Sequence, residues 1–372
     1  MNFIKKLLGL DTPAPGNEGF WTWFQLHERS FFDVVRTRDT RRIEGHFLRR
    51  IIPALEAIQG TLYCETGMCS DTIAELVISA QGDVKSFVFV EELVALAPTL
   101  PNWKFTALKP ANGVEEMRIK MEGYTFDSEK IHFLYNDDPD YPDEIEITFV
   151  HQDLNGENKT IITQGVFLYL ESVLGERDAA TLIDKGTVTG PALNGESPIP
   201  MGKLVDFLRW KEKEFVEKYH ESRHETENDN YAVLEGKDED GFANVVTLNT
   251  DLLQWDAKVS HPWMMLIVVD YEKTNGLAGS GMPDTKHYQH ITRLEKELAE
   301  KLPDSAGYLI LARQTYKGKR TIFLACKEFL KASKTTQQLL ETYQPALSCS
   351  YEIYKDKYWK TVEPFRTAET GS

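Results

Sequence analysis

The sequence reads Trp263-Met264-Met265-Leu266-Ile267-Val268-Val269-Asp270-Tyr271 at the point that decides the C-terminal fold. Seven consecutive apolar residues between Pro262 and Asp270 are typical of a buried strand. Downstream patterns predict helix, strand, strand, helix and strand over residues 284–301, 308–315, 320–327, 329–343 and 348–355. Together with the first strand, this order is that of a ferredoxin-like β-α-β-β-α-β sandwich, which we predict for residues 226–372.

The upstream part of the chain mixes helical and strand periods. Apolar spacing predicts helices from residue 20 onward and over residues 40–58, 85–96, 160–174 and 204–224. Alternation predicts strands over residues 61–66, 75–80, 103–109, 114–121, 131–135 and 144–151. We therefore predict an N-terminal α+β domain over residues 20–225, a mixed antiparallel sheet covered by helices, after an N-terminal segment and linker over residues 1–19.

The boundary between the two domains is predicted from charge. Between Glu217 and Asp240, nine acidic residues face three basic ones, with few large apolar groups. A stretch of that composition is typical of a solvated connection. We expect limited proteolysis to cut first within residues 220–240.

The chain of 372 residues has a net charge of −16, from 58 acidic and 42 basic residues. A surface of that sign repels phosphate backbones, so we expect no nucleic-acid partner. It favours encounter with a basic protein, although acidity that only maintains solubility explains the same composition.

Cysteine usage and hydropathy indicate the compartment. Four cysteines in a chain of this length do not make a disulfide framework. The apolar run after Lys5-Lys6 is shorter than a signal peptide requires, and no stretch reaches the length of a membrane span. We therefore expect a soluble cytoplasmic protein with no membrane partner.

Four stretches of the C-terminal part resemble a known family. They are Asp240-Gly241-Phe242-Ala243, His261-Pro262-Trp263, the segment 307–320 with Arg313-Gln314-Thr315 and Gly318, and Tyr358-Trp359-Lys360. Residues about 230–365 resemble domain-of-unknown-function family 695, found in bacterial proteins. The resemblance implies a ferredoxin-like fold, similar in outline to the protein regulator of ribonuclease E, a non-catalytic inhibitor. The loop after Tyr271 is longer than the family's short turn.

One motif points to metal chemistry. His220-Glu221-Ser222-Arg223-His224 matches H-E-x-x-H, which on a helix places two imidazoles beside a zinc ion and a glutamate beside its water. Zinc peptidase helices are buried, whereas this motif contains Arg223 and precedes an acidic stretch. A solvated helix end is the favoured interpretation of His220 and His224.

The remaining candidates are residues that match the family. His261, Trp263, Arg313 and Trp359 are candidate ligand or partner contacts, set against a structural interpretation in which Trp263 is core and Arg313 pairs with a carboxylate. The loop 276–281 contains three glycines between a strand and a helix, but its spacing is not that of a phosphate loop. A long exposed loop is the favoured interpretation there.

No sequence motif specifies a reaction, a cofactor or a partner. The favoured function is a non-catalytic, cytoplasmic protein-interaction or regulatory protein of bacterial type, with no cofactor and with another protein, of basic character, as its partner. The alternative is a metal-dependent hydrolase that uses His220 and His224. The sequence leaves the oligomeric state and the role of the N-terminal domain open.

Overall fold

The computed structural model describes residues 12–191, 197–277 and 281–369. The chain divides into two compact units. Unit 1 comprises Met1–Asn136 and Ile145–Arg209, and unit 2 comprises Asp137–Glu144 and Trp210–Ser372. The change from unit 1 to unit 2 after Arg209 falls inside a helix, upstream of the domain boundary that the sequence predicts after residue 225. That domain boundary stays a prediction.

The elements of unit 1 alternate between helices and short strands. Its helices are α1 (Asn17–Val35), α2 (Thr40–Ile43), α3 (Arg49–Glu56), α4 (Phe87–Ala95) and α5 (Lys159–Thr181), with a π-helical turn, Glu44–Leu48, between α2 and α3. Its strands are β1 (Tyr63–Met68), β2 (Ala74–Ser79), β3 (Trp103–Ala107), β4 (Ile119–Met121), β5 (Tyr124–Phe126), β6 (Ile131–Asn136), β7 (Glu146–His151), β8 (Lys185–Thr189) and β9 (Ile199–Pro200). Helix α6 (Leu204–Tyr219) contains the change from unit 1 to unit 2.

Unit 1 has the mixed strand pairing that the sequence predicts, but its strands form separate sheets. Their orders are β1-β2-β3, β4-β5 and β8-β7-β6-β9. Strands β2 and β3 are parallel, as are β7 and β8. A helix connects each of these pairs, α4 in the first and α5 in the second, because parallel neighbours require a crossover connection.

The predicted aromatic helix at the start of unit 1 is α1. Phe20, Trp21, Phe24 and Phe31 are buried along it. The ring of Phe24 lies edge-on to Trp103 of β3, with centroids 5.0 Å apart. Such edge contacts add about 0.5–1.5 kcal/mol beyond the area that they bury, and they fix the helix on the first sheet.

Unit 2 contains the element order predicted for its sandwich. The elements are β10 (Tyr231–Lys237), β11 (Ala243–Asn249), α7 (Thr250–Gln254), β12 (Trp263–Asp270), α8 (Thr285–Lys301), β13 (Tyr308–Tyr316), β14 (Lys319–Cys326), α9 (Leu330–Tyr343), β15 (Ser348–Lys355) and α10 (Glu363–Glu369). Its sheet has the order β10-β11-β13-β14-β12-β15 with antiparallel neighbours throughout. The last four strands belong to the predicted β-α-β-β-α-β unit. Strands β10 and β11 extend it beyond β13.

The segment Asp137–Glu144 groups with unit 2 although it precedes β7 in the chain. The carboxylate of Asp143 accepts hydrogen bonds from Lys218 Nζ (3.0 Å) and Tyr219 Oη (2.7 Å). Lys357 Nζ donates to the Asp143 carbonyl (2.6 Å), and Lys360 Nζ lies 2.8 Å from Glu144 Oε1. The acidic turn is therefore neutralised by lysines of α6 and of the C-terminal end.

Two further sequence predictions concern the chain as a whole. In the described residues, helices fall short of the length and apolar character that a membrane crossing requires. All four cysteines are free thiols. Burial raises the pKa of the Cys64 and Cys349 thiols to about 12, so both stay protonated at neutral pH.

Candidate functional site

His261 is a fully buried histidine at the entrance to β12. Its Nδ1 lies 2.8 Å from Ser260 Oγ, which itself donates to the Ala257 carbonyl at 2.6 Å. Because that hydroxyl proton is already used, Nδ1 must donate to Ser260 Oγ, and Nε2 is left without a proton. Among the described residues, Nε2 has no hydrogen-bond partner.

The surroundings of His261 favour the neutral imidazole. Burial lowers its pKa to about 3, and the positive charges of Lys327 and Arg223 act in the same direction, as does His224. The ring therefore presents a bare acceptor nitrogen at neutral pH. A metal would need further ligands, and within the described ranges no group of three or more His, Cys, Asp or Glu side chains is placed to supply them.

The indole of Trp255 joins His261 to two other side chains. Its ring centroid lies 5.4 Å from His261, 5.2 Å from His224 and 6.3 Å from Trp359. Trp359 is buried, and its Nε1 donates to the His261 carbonyl at 3.0 Å. The structure thus brings the predicted residues His261 and Trp359 together with Trp255 and His224, four residues that we call the Trp255 cluster. Trp255 belongs to no motif that the sequence offers.

The H-E-x-x-H stretch lies beyond the end of a helix. Helix α6 ends at Tyr219, so His220 and His224 do not share the helical face that zinc peptidases use. His220 is 60% exposed, whereas His224 Nε2 lies 2.8 Å from Asp229 Oδ2. Asn249 Nδ2 donates to the same carboxylate at 2.8 Å. The geometry favours a structural histidine–carboxylate pair at His224.

Trp263 and Arg313 have partners outside the Trp255 cluster. Trp263 is buried, with its ring centroid 4.4 Å from that of Phe329. Arg313 Nε is 3.2 Å from Glu295 Oε2 of α8, an ion pair whose N–H is not aligned for a hydrogen bond. Arg320 Nε lies 2.7 Å from the other oxygen of Glu295. Both side chains have the structural partners that the sequence interpretation allowed.

The glycine loop 276–281 contains residues 278–280, which lie outside the described residues. On its described flanks, Tyr271 Oη donates to the Gly281 carbonyl at 2.6 Å. A Cβ on Gly276 would lie 2.4 Å from the ring of His287, so only glycine fits there. His287, on the helix that follows the loop, is buried and bonded to Asp284 and Thr274.

Strand β10 is an edge strand that the sequence patterns missed. Within the described residues it pairs with β11 alone. Val233 lies opposite Thr247, which lies opposite Arg313, so all three share the sheet face on which Arg313 meets α8. The other face of β10 packs Leu234 against the core. The residues Tyr231-Ala232-Val233-Leu234 are the sequence signal for this strand, but acidic residues flank them on both sides.

The outer face of β10 combines apolar side chains with negative charge. Tyr231 is 49% exposed and Val233 is 59% exposed. Exposed carboxylates that form no ion pair with another described residue lie in the strand and in the chain on either side of it, namely Glu225, Glu227, Glu235 and Glu239. We call the surface formed by Tyr231, Val233 and these four carboxylates the β10 surface.

Asp238, at the end of β10, shows how the nearby charges are otherwise balanced. Its carboxylate lies 2.7 Å from Lys317 Nζ and accepts a bond from Tyr316 Oη at 2.8 Å. Lys317 lowers the pKa of Asp238 to about 2. This carboxylate is therefore occupied by its own lysine, and the β10 surface is negative because of its other acids.

Unit 1 contains a cleft that no sequence motif marks. It lies at the carboxyl ends of the parallel strands β2 and β3, where ligand sites of α/β units commonly form. The cavity has a volume of about 470 Å³. Its lining consists of Tyr63, Gln81, Gly82, Lys109, Glu171, Glu176, Ala179 and Ala180. We call it the β2–β3 cleft.

Glu176 forms the inner wall of the β2–β3 cleft. It follows Gly175, which breaks α5 with φ 77° and ψ 159°, and its carboxylate is almost fully buried. Oε1 accepts hydrogen bonds from the backbone amides of Ala80 (2.9 Å) and Gly82 (3.0 Å). Oε2 accepts one from the amide of Lys109 (3.0 Å). The three contacts are separated from Glu176 by 67 to 96 residues, so no local pattern indicates them.

Comparison with known proteins identifies one part of the chain. Searches of curated proteins and of solved structures find no match. The N-terminal part matches no family model. Residues 237–365, which include His261, Trp263, Arg313 and Trp359, match the model described as a family of unknown function (DUF695), as the resemblance predicted.

Proposed function

We propose that this chain is a non-catalytic protein-interaction protein and that the β10 surface binds an extended, basic segment of a partner protein. The observation that supports the proposal is an edge strand whose first two outer side chains, Tyr231 and Val233, are apolar and exposed. An edge strand presents unpaired backbone N–H and C=O groups, and folded proteins usually protect such edges with charge, proline or a covering element. Tyr231 and Val233 provide none of these.

The opposite edge of the same sheet is different. Strand β15 exposes Ser350 and Glu352 on its outer positions, with Tyr354 37% exposed. Polar and charged side chains in the middle of an edge strand discourage strand addition. In β10 the charged positions Glu235 and Lys237 fall in the second half of the strand. The first half of β10 is therefore the better template for a partner strand, whose backbone would pair with β10 and whose alternate side chains would contact Val233.

The charge of the β10 surface supports a basic partner. Glu225, Glu227, Glu235 and Glu239 outnumber the single exposed cation of the strand, Lys237. Complementary charge raises association rates and excludes acidic competitors, and its contribution weakens with salt. We also propose a cytoplasmic location, which the four free thiols support because secreted proteins of this size commonly form disulfides.

The test is a comparative capture experiment on the full chain. Tagged wild-type protein, Val233→Lys and Val216→Lys are used as baits in extracts of the native host. Val216 of α6 is 54% exposed, so Val216→Lys controls for the added charge alone. We expect a reproducible basic protein to bind the wild type and the control and to be lost with Val233→Lys.

The captured partner is then purified and titrated calorimetrically. We expect Val233→Lys to weaken binding at least tenfold and Val216→Lys to change it less than twofold. Raising the salt concentration from 50 to 300 mM should weaken the wild-type complex as well. An equal affinity for both variants, or no reproducible partner in the capture, would overturn the proposal.

A further inference from the structure

The β2–β3 cleft has an inner wall that excludes anions. In many βαβ units the backbone amides at the carboxyl ends of the strands bind a phosphate or carboxylate of the ligand. Here the amides of Ala80, Gly82 and Lys109 are occupied by the carboxylate of Glu176. A ligand anion would have to displace a buried, hydrogen-bonded side chain, which is unfavourable.

The charge that remains in the cleft is negative. Lys109 Nζ lies 2.9 Å from Glu171 Oε1 and 3.3 Å from Glu65 Oε1, so two carboxylates share one ammonium group. Burial by itself lowers the pKa of Lys109, but its bonds to Glu171 and Glu65 outweigh burial and raise it. Lys109 is therefore fully charged, and one negative charge stays uncompensated beside the cavity.

The other groups of the cleft suit a small organic molecule. Tyr63 and Gln81 are residues of the cavity lining, and neither the Tyr63 hydroxyl nor the Gln81 side-chain amide makes a hydrogen bond with another described residue. Ala179 and Ala180 supply a short apolar wall. A volume of about 470 Å³ falls within the range of small-molecule sites.

We infer that the β2–β3 cleft binds a small organic cation, an alkylammonium group on a short apolar stem, with Glu171 of the cavity lining as its counter-ion and Glu65 holding part of the charge of Lys109. Its stem lies against Ala179 and Ala180, and Tyr63 and Gln81 bond any polar group at its other end. The site is in unit 1, so this inference is independent of the proposed function of the β10 surface. The same ammonium chemistry occurs in free amines and in lysine side chains of peptides.

The experiment is a titration of the ¹⁵N-labelled full chain monitored by NMR. The probes are cadaverine as a free amine, Nα-acetyl-lysine methylamide as a peptide-like lysine, and hexanoate as an anion of similar length. The reporters are the amide signals of Ala80, Gly82 and Lys109, because these amides bond Glu176 at the cleft wall. We expect saturable shifts with one or both cations and none with hexanoate, and the tighter cation identifies the source.

Two variants change the cleft charge in opposite directions. Glu171→Gln removes a counter-ion and should weaken the better amine at least fivefold. Lys109→Met removes the competing ammonium and should tighten that amine at least threefold. The matched control is Glu157→Gln, because Glu157 is exposed and precedes α5, whose first residue lies roughly 18 Å from Glu171 along the helix.

The direction in which each variant changes the affinity for the amine tests the inference. The inference holds if the amine is weakened by Glu171→Gln, tightened by Lys109→Met and unchanged by Glu157→Gln. It is overturned if neither cation shifts the three amide signals at 20 mM, if hexanoate shifts them equally, or if both cleft variants leave the affinity unchanged. Circular dichroism of each variant confirms that the titrated protein is folded.

Discussion

The buried carboxylate of Glu176 should be a main determinant of the stability of unit 1. Its two oxygens accept three backbone hydrogen bonds of 2.9 to 3.0 Å, and the residue is 1% exposed. The perturbation that tests this is Glu176→Gln, which keeps the shape of the side chain. The amide oxygen of glutamine can still accept from Ala80 and Gly82, but its NH₂ group then faces the N–H of Lys109.

The magnitude follows from these contacts. Glu176→Gln loses the charge-assisted hydrogen bond from the Lys109 amide and places the glutamine NH₂ group against that N–H donor. This change should lower the free energy of unfolding by about 2–3 kcal/mol. Glu176→Ala leaves three amides without their acceptor, at about 1–3 kcal/mol each. Water that enters from the adjacent cleft offsets part of this loss, so we expect a total of about 3–5 kcal/mol.

Urea unfolding of the full chain, followed by tryptophan fluorescence, measures these differences. Trp21, Trp23 and Trp103 report on unit 1, and replacing the tryptophans of unit 2 by phenylalanine isolates their signal. Glu157→Gln, an exposed position on the same unit, should stay within 0.5 kcal/mol of the wild type. The reasoning fails if Glu176→Gln also stays within 0.5 kcal/mol, or if Glu176→Ala is less destabilising than Glu176→Gln.

Four further outcomes are expected. The pKa of His261 is about 3 in the folded chain and about 6.5 in the unfolded chain, so the unfolded chain binds a proton first as the pH falls. The free energy of unfolding should therefore decrease below pH 6.5, by about 2 kcal/mol at pH 5. His261→Gln should remove that component from the pH profile of urea midpoints, whereas exposed His220→Gln should not. Gly307→Ala should destabilise unit 2 by about 1–3 kcal/mol in the same assay, because the φ of Gly307 is 90° and its new Cβ would lie 2.8 Å from the Cβ of Lys327. The control Gly236→Ala, where a Cβ meets no atom within 4 Å, should be nearly neutral. Metal analysis of protein purified without chelator should find no stoichiometric zinc; zinc that His220→Ala removes would revive the hydrolase. Limited proteolysis should cut first between α6 and β10, within residues 220–230 of the predicted connection, because residues 231–237 are paired with β11; a first cut elsewhere would contradict that connection.

Much of unit 2 could be predicted because its signals are local. The apolar run of β12, the N-cap Asp284 that bonds the amide of His287 at the start of α8, and the hairpin at Lys317-Gly318 each depend on neighbouring residues. The positive φ angles of Lys317 (44°) and Gly318 (74°) suit a two-residue hairpin turn. These local signals suffice to give the strand and helix order of the sandwich.

The features that carry the candidate sites could not be predicted because they are long-range. The sequence predicts a helix that ends at residue 174, but α5 continues past the break at Gly175, and Glu176 is bonded to amides far away in the chain. Trp255 acquires its importance only through the rings around it. Strand β10 was hidden because its acidic flanks are typical of a linker, although pairing with β11 makes it a strand.

The acidic turn Asp137–Glu144 has a consequence for synthesis on the ribosome. Lys357, which bonds the carbonyl of Asp143, follows it by 214 residues. At a translation rate of about 5–20 residues per second, Lys357 is synthesised roughly 10–40 s after Asp143. Unit 1 has by then been synthesised in full, since its last segment ends at Arg209. The contacts of the turn therefore form in two steps: Lys218 and Tyr219 of α6 can reach Asp143 first, and a ribosome that stalls before Lys357 releases a product whose turn lacks the bonds from Lys357 and Lys360.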